Sequence, residues 1–88
     1  MGYNIIMRNA NEIKEMMPTV EDYLRWAEQD IIGQAKKGFY YVRLTGVLWS
    51  DWKHPLYHKV IKEIQSLGYT IKYDPYDEYA ASTKIEWE

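Results

Sequence analysis

The chain of 88 residues contains no cysteine. This absence excludes disulfide bonds, cysteine-based zinc sites and thiol chemistry, although it does not identify a cellular compartment. No apolar run reaches the roughly 20 residues that a membrane-spanning helix needs. The N-terminal sequence MGYNII has no signal-peptide hydrophobic region. We therefore expect a soluble cytoplasmic protein that has no membrane partner.

The sequence has no excess of basic charge. Its 11 lysine and arginine residues face 13 aspartate and glutamate residues, which gives a net charge of −2. Proteins that bind nucleic-acid duplexes need clustered lysine and arginine against the phosphates. We therefore expect no duplex nucleic acid among the partners.

Catalytic motifs are also missing: there is no nucleophile elbow, phosphate loop or dinucleotide fingerprint. The only two histidines, His54 and His58, lie near Asp51, but a zinc site needs three or four ligands. We therefore predict a non-enzyme with no metal and no cofactor. A small metalloenzyme that uses Asp51, His54 and His58 is the least favoured alternative.

Aromatic residues are abundant, with nine Tyr, four Trp and one Phe. Tyr and Trp combine a large apolar area with a polar group, which suits binding and assembly surfaces. A chain of this length forms one domain, residues 1–88, and buries only roughly 60–65% of its unfolded surface. We therefore predict a homo-oligomer, in which residues 1–8 form a flexible arm or an edge strand.

Helix signals occupy the first half of the chain. Asn9 and Thr19 are predicted N-caps, Pro18 separates the two helices, and Gly38 ends the second helix. The first helix carries one short apolar stripe. The apolar spacing of the second helix predicts a buried face that consists of Val20, Tyr23, Leu24, Ala27, Ile31 and Ala35.

A β-α-β-β unit follows, with strands predicted at residues 39–46, 69–73 and 83–88. Pro55 predicts the first position of a third helix, with His54 as its cap. The fold class is therefore α+β: two N-terminal helices, then a three-stranded sheet with helices on one face. The third strand is antiparallel to the second, and it lies either at the edge of the sheet or between the first two strands. The predicted core side chains of the strands and third helix are Tyr40, Val42, Leu44, Leu56, Val60, Ile61, Ile64, Leu67, Tyr69, Ile71, Tyr73, Thr83, Ile85 and Trp87.

Side chains alternate along a strand, so one sheet face is predicted to remain uncovered. This open face carries Phe39, Tyr41, Arg43, Thr70, Lys72, Lys84 and Glu86. Aromatic rings between cations can stack on a base and pair with a phosphate, which indicates a small anionic ligand. Two alternatives remain open: a solvated face on which the cations cover the rings, and pairing with a second copy.

The segment GVLWSDWKHPLYHK, residues 46–59, joins the first strand to the third helix. Trp49 and Trp52 there either form a lid over the sheet edge or line a pocket or partner surface. The tyrosine-rich loop at residues 73–79 is a solvated loop or a contact surface. The predicted ligand-binding residues are Tyr41, Arg43, Trp49, Trp52, Lys72 and Lys84.

The layout resembles a set of small bacteriophage-encoded α+β proteins that end in Ile-x-Trp. The matching residues are Ala10, Ile13, Ala35, Gly38, Leu67, Gly68, Tyr69, Ile85 and Trp87. The resemblance implies a phage origin and a non-enzymatic role, either as a virion component or as an early protein that acts on the host. It carries over no functional residue, and the Trp-rich segment 47–54 departs from it.

These observations predict a non-catalytic binding protein that sequesters or blocks a host factor or a small nucleotide-like signal. Its role would be counter-defence in the host bacterial cytoplasm. The alternative is a virion or assembly protein whose aromatic surface binds copies of itself.

Overall fold

The computed structural model describes residues 7–75 and 81–88. It confirms the predicted α+β class and the predicted order of elements. The elements are α1 (Ala10–Met16), α2 (Val20–Lys36), β1 (Tyr41–Leu44), α3 (Tyr57–Ser66), β2 (Thr70–Asp74) and β3 (Ser82–Glu86). Residues 1–6 of the predicted arm lie outside the described residues, and so do residues 76–80, which include most of the predicted tyrosine-rich loop.

Side chains cap α1 and α2 as predicted. The Asn9 side chain accepts the Glu12 N–H at 2.9 Å. Thr19 and Asp22 form a reciprocal capping box, in which the Asp22 carboxylate accepts the Thr19 N–H at 2.8 Å. This hydrogen bond lowers the pKa of Asp22. Beyond the end of α2, Gly38 has a φ of +90°, a conformation that glycine adopts without strain.

The third helix begins later than predicted. It starts at Tyr57, and its N-cap residue Leu56 makes no side-chain capping bond. The His54 Nδ1 atom accepts the Leu56 N–H at 3.1 Å, and the His54 carbonyl accepts the Tyr57 N–H at 3.0 Å. His54 therefore lies outside the helix, as predicted, but its side chain stabilises the preceding turn and does not cap α3.

The sheet has the order β1-β3-β2, with β3 antiparallel to both neighbours. This settles the open alternative, because the third strand lies between the first two. Val42, Ile85 and Ile71 form one row across the three strands. Helices cover the face that this row occupies, with α2 mainly against β1 and α3 against β2.

The core lies between this sheet face and the two longer helices. Fully or nearly fully buried apolar side chains there are Ala27, Val42, Leu44, Leu48, Tyr57, Val60, Ile64 and Ile85. Three residues predicted in the core are exposed: Tyr40, Leu67 and Ala35. Tyr40 precedes β1 and Leu67 follows α3, so neither is held by a regular element, while Ala35 lies in the last turn of α2. The predicted periodicities therefore fail at the ends of elements.

The first helix contributes nothing to this core, since none of its residues is buried. Its apolar side chains remain largely accessible: Ile13, Met16 and Met17 are 47%, 61% and 57% exposed. Pro18 separates α1 from α2, and proline cannot continue a helical hydrogen-bond pattern. Within residues 7–75 and 81–88, the predicted apolar stripe of α1 is therefore left without cover.

Candidate functional site

Trp49 belongs to the core and not to a binding surface. Its side chain is buried, with 8% exposure, and its ring packs edge-on against Tyr23 of α2 at a centroid distance of 6.2 Å. Tyr23 lies on the helix-covered side of the sheet, opposite the open face. The prediction that Trp49 lines a ligand site is therefore corrected: burial of its large apolar ring stabilises the fold.

Hydrogen bonds fasten the segment around Trp49 to the sheet. The Thr83 hydroxyl donates to the Trp49 carbonyl at 2.6 Å. The Ser50 hydroxyl donates to the Ala81 carbonyl at 2.7 Å, and the Tyr73 hydroxyl donates to the Ser50 carbonyl at 2.8 Å. These bonds satisfy backbone groups that irregular structure would otherwise leave unpaired. The segment between β1 and α3 is thus a packed connection. For Trp49, this agrees with the predicted alternative of a lid over the sheet edge.

Trp52 is in a different environment, because its side chain is 48% exposed. Its ring lies 6.4 Å from that of His58 on α3, and the Lys53 ammonium lies 5.6 Å from the Trp52 ring centroid. These contacts place Trp52 beside the helical layer. The structure therefore does not bring Trp52 together with the predicted site residues of the sheet.

The histidines do not form a metal site in the described part of the chain. No group of three His, Asp or Glu side chains converges within residues 7–75 and 81–88. His54 uses Nδ1 to accept a backbone N–H, and the ring of His58 packs against Tyr57 at 5.6 Å. The structure therefore gives Asp51, His54 and His58 no shared ligand position.

Four of the six predicted site residues do share the open face. Arg43, Lys84 and Lys72 are direct neighbours on β1, β3 and β2, so they form one row across the sheet. Because neighbouring strands lie about 4.8 Å apart, the Cα atoms of these three residues lie within roughly 10 Å of one another. Tyr41 lies in the next row, and the Lys84 ammonium is 4.6 Å from its ring centroid, within the range of a cation–π contact.

Two carboxylates accompany these cations. One oxygen of Glu86 lies 3.3 Å from the Lys72 ammonium and 3.3 Å from the Lys84 ammonium. The contact with the Lys72 ammonium, together with that of Lys84, outweighs desolvation and lowers the pKa of Glu86. Arg43 lies 3.7 Å from Asp74, the last residue of β2, which falls within the predicted tyrosine-rich loop at residues 73–79. The row with these two carboxylates thus carries three positive and two negative charges.

The lowered pKa of Glu86 predicts an acid-dependent loss of stability. A group whose pKa is lower in the folded state stabilises the fold above its unfolded value, which is near 4.5. That contribution is lost as the pH falls from about 4.5 through the folded pKa. We expect Glu86→Gln to flatten the dependence of the urea midpoint on pH in this range.

The control for this measurement is Glu63→Gln on the exposed surface of α3. It should leave the dependence of the urea midpoint on pH unchanged. If Glu86→Gln and the unchanged chain lose stability in parallel below pH 4.5, the two lysine contacts do not stabilise the carboxylate.

Two surface grooves include residues beyond the predicted site. One, of about 480 Å³, lies where α1 meets α2 and is lined by Lys14, Met17, Pro18, Thr19, Val20, Tyr23, His54, Pro55 and Leu56. The other, of about 460 Å³, runs between α2 and β1 and is lined by Gln29, Asp30, Gly33, Gln34, Lys37 and residues 41–44. One feature of the sequence indicates the second groove: Gly33 is an isolated glycine within the apolar pattern of α2.

No protein-family model, curated protein or solved structure matches this chain. The fold itself defines the class: a small α+β protein with a three-stranded antiparallel sheet, of which the described helices cover one face. Among the described residues, no helix has the length and apolar character needed to cross a membrane.

Proposed function

We propose that this chain is a non-catalytic binding protein whose open sheet face takes up a small anionic, nucleotide-like ligand. The observation that supports the proposal is the row formed by Arg43, Lys84 and Lys72 beside the half-exposed ring of Tyr41. Cationic side chains at this spacing can pair with phosphate oxygens through charge-assisted hydrogen bonds. A planar base can stack on an exposed aromatic ring.

The aromatic part of this surface extends beyond the strand. The Phe39 ring is 47% exposed and lies 6.2 Å from that of Tyr41. Base stacking on such rings contributes about 1–3 kcal/mol per base and tolerates different bases. The surface thus combines a sequence-tolerant apolar platform with a phosphate-binding row.

Glu86 has two opposing effects on this site. It holds the Lys72 and Lys84 ammonium groups at 3.3 Å, which orients them across the face. It also competes with an incoming phosphate for the same two cations. Binding of an anion therefore exchanges one carboxylate contact for a phosphate contact, and this exchange limits affinity.

The biological setting that we propose comes from the resemblance to phage proteins. The protein would act in the host bacterial cytoplasm, where it would sequester a signalling nucleotide or block a host factor as a counter-defence protein. Sequestration requires binding without turnover, which accords with the absence of catalytic motifs in the sequence.

Calorimetric titration with a panel of nucleoside mono-, di- and cyclic phosphates tests the ligand site. We expect Lys84→Met to weaken binding about tenfold, because one charge-assisted hydrogen bond is worth about 1.5 kcal/mol. We expect Glu86→Gln to tighten binding, because it removes the competing negative charge from the Lys72 and Lys84 ammonium groups.

The matched control for this titration is Lys62→Met, which removes a cation from the exposed surface of α3 on the other side of the molecule. Lys62→Met should bind the nucleoside phosphates with the same affinity as the unchanged chain. The proposal fails if no member of the panel binds, or if Lys84→Met and Lys62→Met bind equally well.

A second candidate function is that of a self-associating virion or assembly protein. The observation that favours it is α1, which buries no residue and exposes Ile13, Met16 and Met17 beside an apolar groove. Exposed apolar patches of this kind mark contact surfaces. Recovery of the protein from purified phage particles would favour this function over ligand sequestration.

A further inference from the structure

We propose that β1 pairs with β1 of a second copy of this chain, so that two sheets join into one sheet of six strands. The two α2 helices would then lie side by side across the same twofold axis. A symmetric dimer of this kind uses one surface patch twice, and that patch must be complementary to itself. The groove between α2 and β1 meets this condition in its backbone, its packing and its charges.

The backbone condition follows from the position of β1 in the sheet. Among the described strands, β1 has β3 as its single neighbour. The Tyr40 carbonyl accepts the N–H of Trp87 at 3.0 Å, which fixes the alternation of the antiparallel ladder. By that alternation Val42 directs its N–H and C=O toward β3, and Tyr41 directs its own toward the outer edge. An edge strand with outward backbone groups is a template for a further strand.

The side chains select one register for this pairing. With the twofold axis at Val42, Tyr41 of one copy lies opposite Arg43 of the other on the open face. Aromatic and cationic side chains in such a cross-strand pair attract each other. A register with the axis at Arg43 would place like charges directly opposite and is disfavoured.

The packing condition depends on Gly33. Neighbouring strands are about 4.8 Å apart, whereas packed helices are usually 8–10 Å apart, so the two α2 helices must approach closely. Gly33 lies midway along the helical wall of the groove and has no side chain to obstruct this approach. A Cβ atom at Gly33 would meet nothing within 4 Å in the single chain. Internal packing therefore does not require a glycine there, although glycine in a helix costs about 0.5–1 kcal/mol relative to alanine.

The charges of α2 complement one another across the same axis. An antiparallel pair of helices that cross near Gly33 brings Asp30 of one copy alongside Lys37 of the other, and this contact occurs twice. Both side chains are exposed, and neither enters an ion pair within the described part of the chain. Complementary charges favour this second copy over an unrelated strand as the occupant of the groove.

The dimer also extends the ligand surface, a consequence that depends on the proposed function. In this register the row Lys72, Lys84 and Arg43 continues with Tyr41 of the second copy. Each of the two rows would then hold three cations from one chain and an aromatic ring from the other. The second copy would therefore contribute a residue to each site.

A measurement of the molecular mass in solution, without any ligand, tests whether the chain forms this dimer. We expect light scattering and sedimentation to give a dimer that dissociates on dilution. Gly33→Arg should yield a folded monomer, because the interface gains a bulky cation while the helix loses a glycine that internal packing does not require. Its thermal midpoint, unlike that of the unchanged chain, should not depend on protein concentration. Retention of the folded state distinguishes this result from simple misfolding.

A charge exchange gives the matched comparison. Asp30→Lys and Lys37→Asp should each weaken the dimer at least tenfold, and the combined variant should recover it. Glu28→Lys and Lys36→Asp make the same changes at exposed positions outside the groove and should leave the dimer intact.

A chain that is monomeric at every concentration would overturn the proposal. A dimer that persists in both Gly33→Arg and Asp30→Lys would also overturn it, and would move self-association to another surface such as α1. Nucleotide titration of the Gly33→Arg monomer keeps the two proposals distinguishable: a complete lack of nucleotide binding in both dimer and monomer would reject the ligand site and leave the dimer standing.

Discussion

Replacement of Trp49 with alanine is expected to lower the free energy of unfolding by about 3–5 kcal/mol, the usual cost of removing a buried large aromatic side chain. The Trp49 ring is 8% exposed and packs against Tyr23 in the single core. Trp52, three residues later, is 48% exposed, and its replacement should cost less than about 1 kcal/mol. Urea unfolding followed by far-ultraviolet circular dichroism measures both variants without depending on tryptophan emission.

The two variants are controls for each other, since each removes the same atoms from the same segment. Equal destabilisation of the two would show that Trp49 is not a core residue. Trp52→Ala should also leave nucleotide affinity unchanged, because Trp52 lies beside α3 and away from the open face. Loss of nucleotide binding in a stable Trp52→Ala variant would move the ligand site to the helical side of the molecule.

The different environments of Trp49 and Trp52 also mark a limit of sequence-based prediction. The period of a helix or a strand indicates which side chains share a face, but the segment between β1 and α3 has no constant period. The Trp49 ring packs against Tyr23 of α2, and the Trp49 carbonyl accepts a hydrogen bond from Thr83 on the central strand, 34 positions along the chain. A local pattern contains no information on such a contact.

Local sequence signals did predict the helices and the segments that form the strands of the sheet. Asn9 and Thr19 cap their helices, and the steps of three and four in α2 correctly predict the buried Tyr23, Ala27 and Ile31. Each of these features is decided within one or two turns of backbone. The start of α3 was predicted two residues early, because the turn held by His54 takes the place of the first helical turn.

The open face was partly predictable for the same reason. Strand alternation places Tyr41, Arg43, Lys72 and Lys84 on one face, and the structure agrees. Alternation cannot give the order of the strands, and only the order β1-β3-β2 puts Lys84 between the other two cations. The double contact of Glu86 with two lysines likewise follows from register, which strand pairing decides.

The uncovered surfaces are not predictable from one chain. The period of α1 predicts an apolar stripe, and a stripe ordinarily predicts a buried face. In the structure none of the α1 residues is buried, so within the described part of the chain the stripe has no core to pack against. The same reasoning applies to Gly33, whose lack of a side chain has no internal purpose.

Replacement of Thr83 with valine is expected to lower the free energy of unfolding by about 1–3 kcal/mol, the cost of a buried polar group that loses its partner. Thr83 is fully buried, and its hydroxyl donates to the Trp49 carbonyl at 2.6 Å. Because its one proton is used there, the Tyr57 hydroxyl, 3.3 Å away, must donate to the Thr83 oxygen. Burial raises the pKa of Tyr57, which keeps this donor protonated. Valine has nearly the same shape, so the loss measures hydrogen bonding and not packing.

A double-mutant cycle with Tyr57→Phe separates the two bonds of Thr83. Tyr57→Phe removes only the 3.3 Å contact and should cost less than Thr83→Val, which also leaves the Trp49 carbonyl unpaired. The double variant should be more stable than the sum of the single effects predicts, because valine and phenylalanine leave no polar pair to break. Thr70→Val, at an exposed position of β2, is the control and should be close to neutral. If Thr83→Val proves as stable as Thr70→Val, the bond to Thr83 does not hold the segment that carries Trp49 against the sheet, and the 3–5 kcal/mol expected for Trp49→Ala must come from ring packing alone.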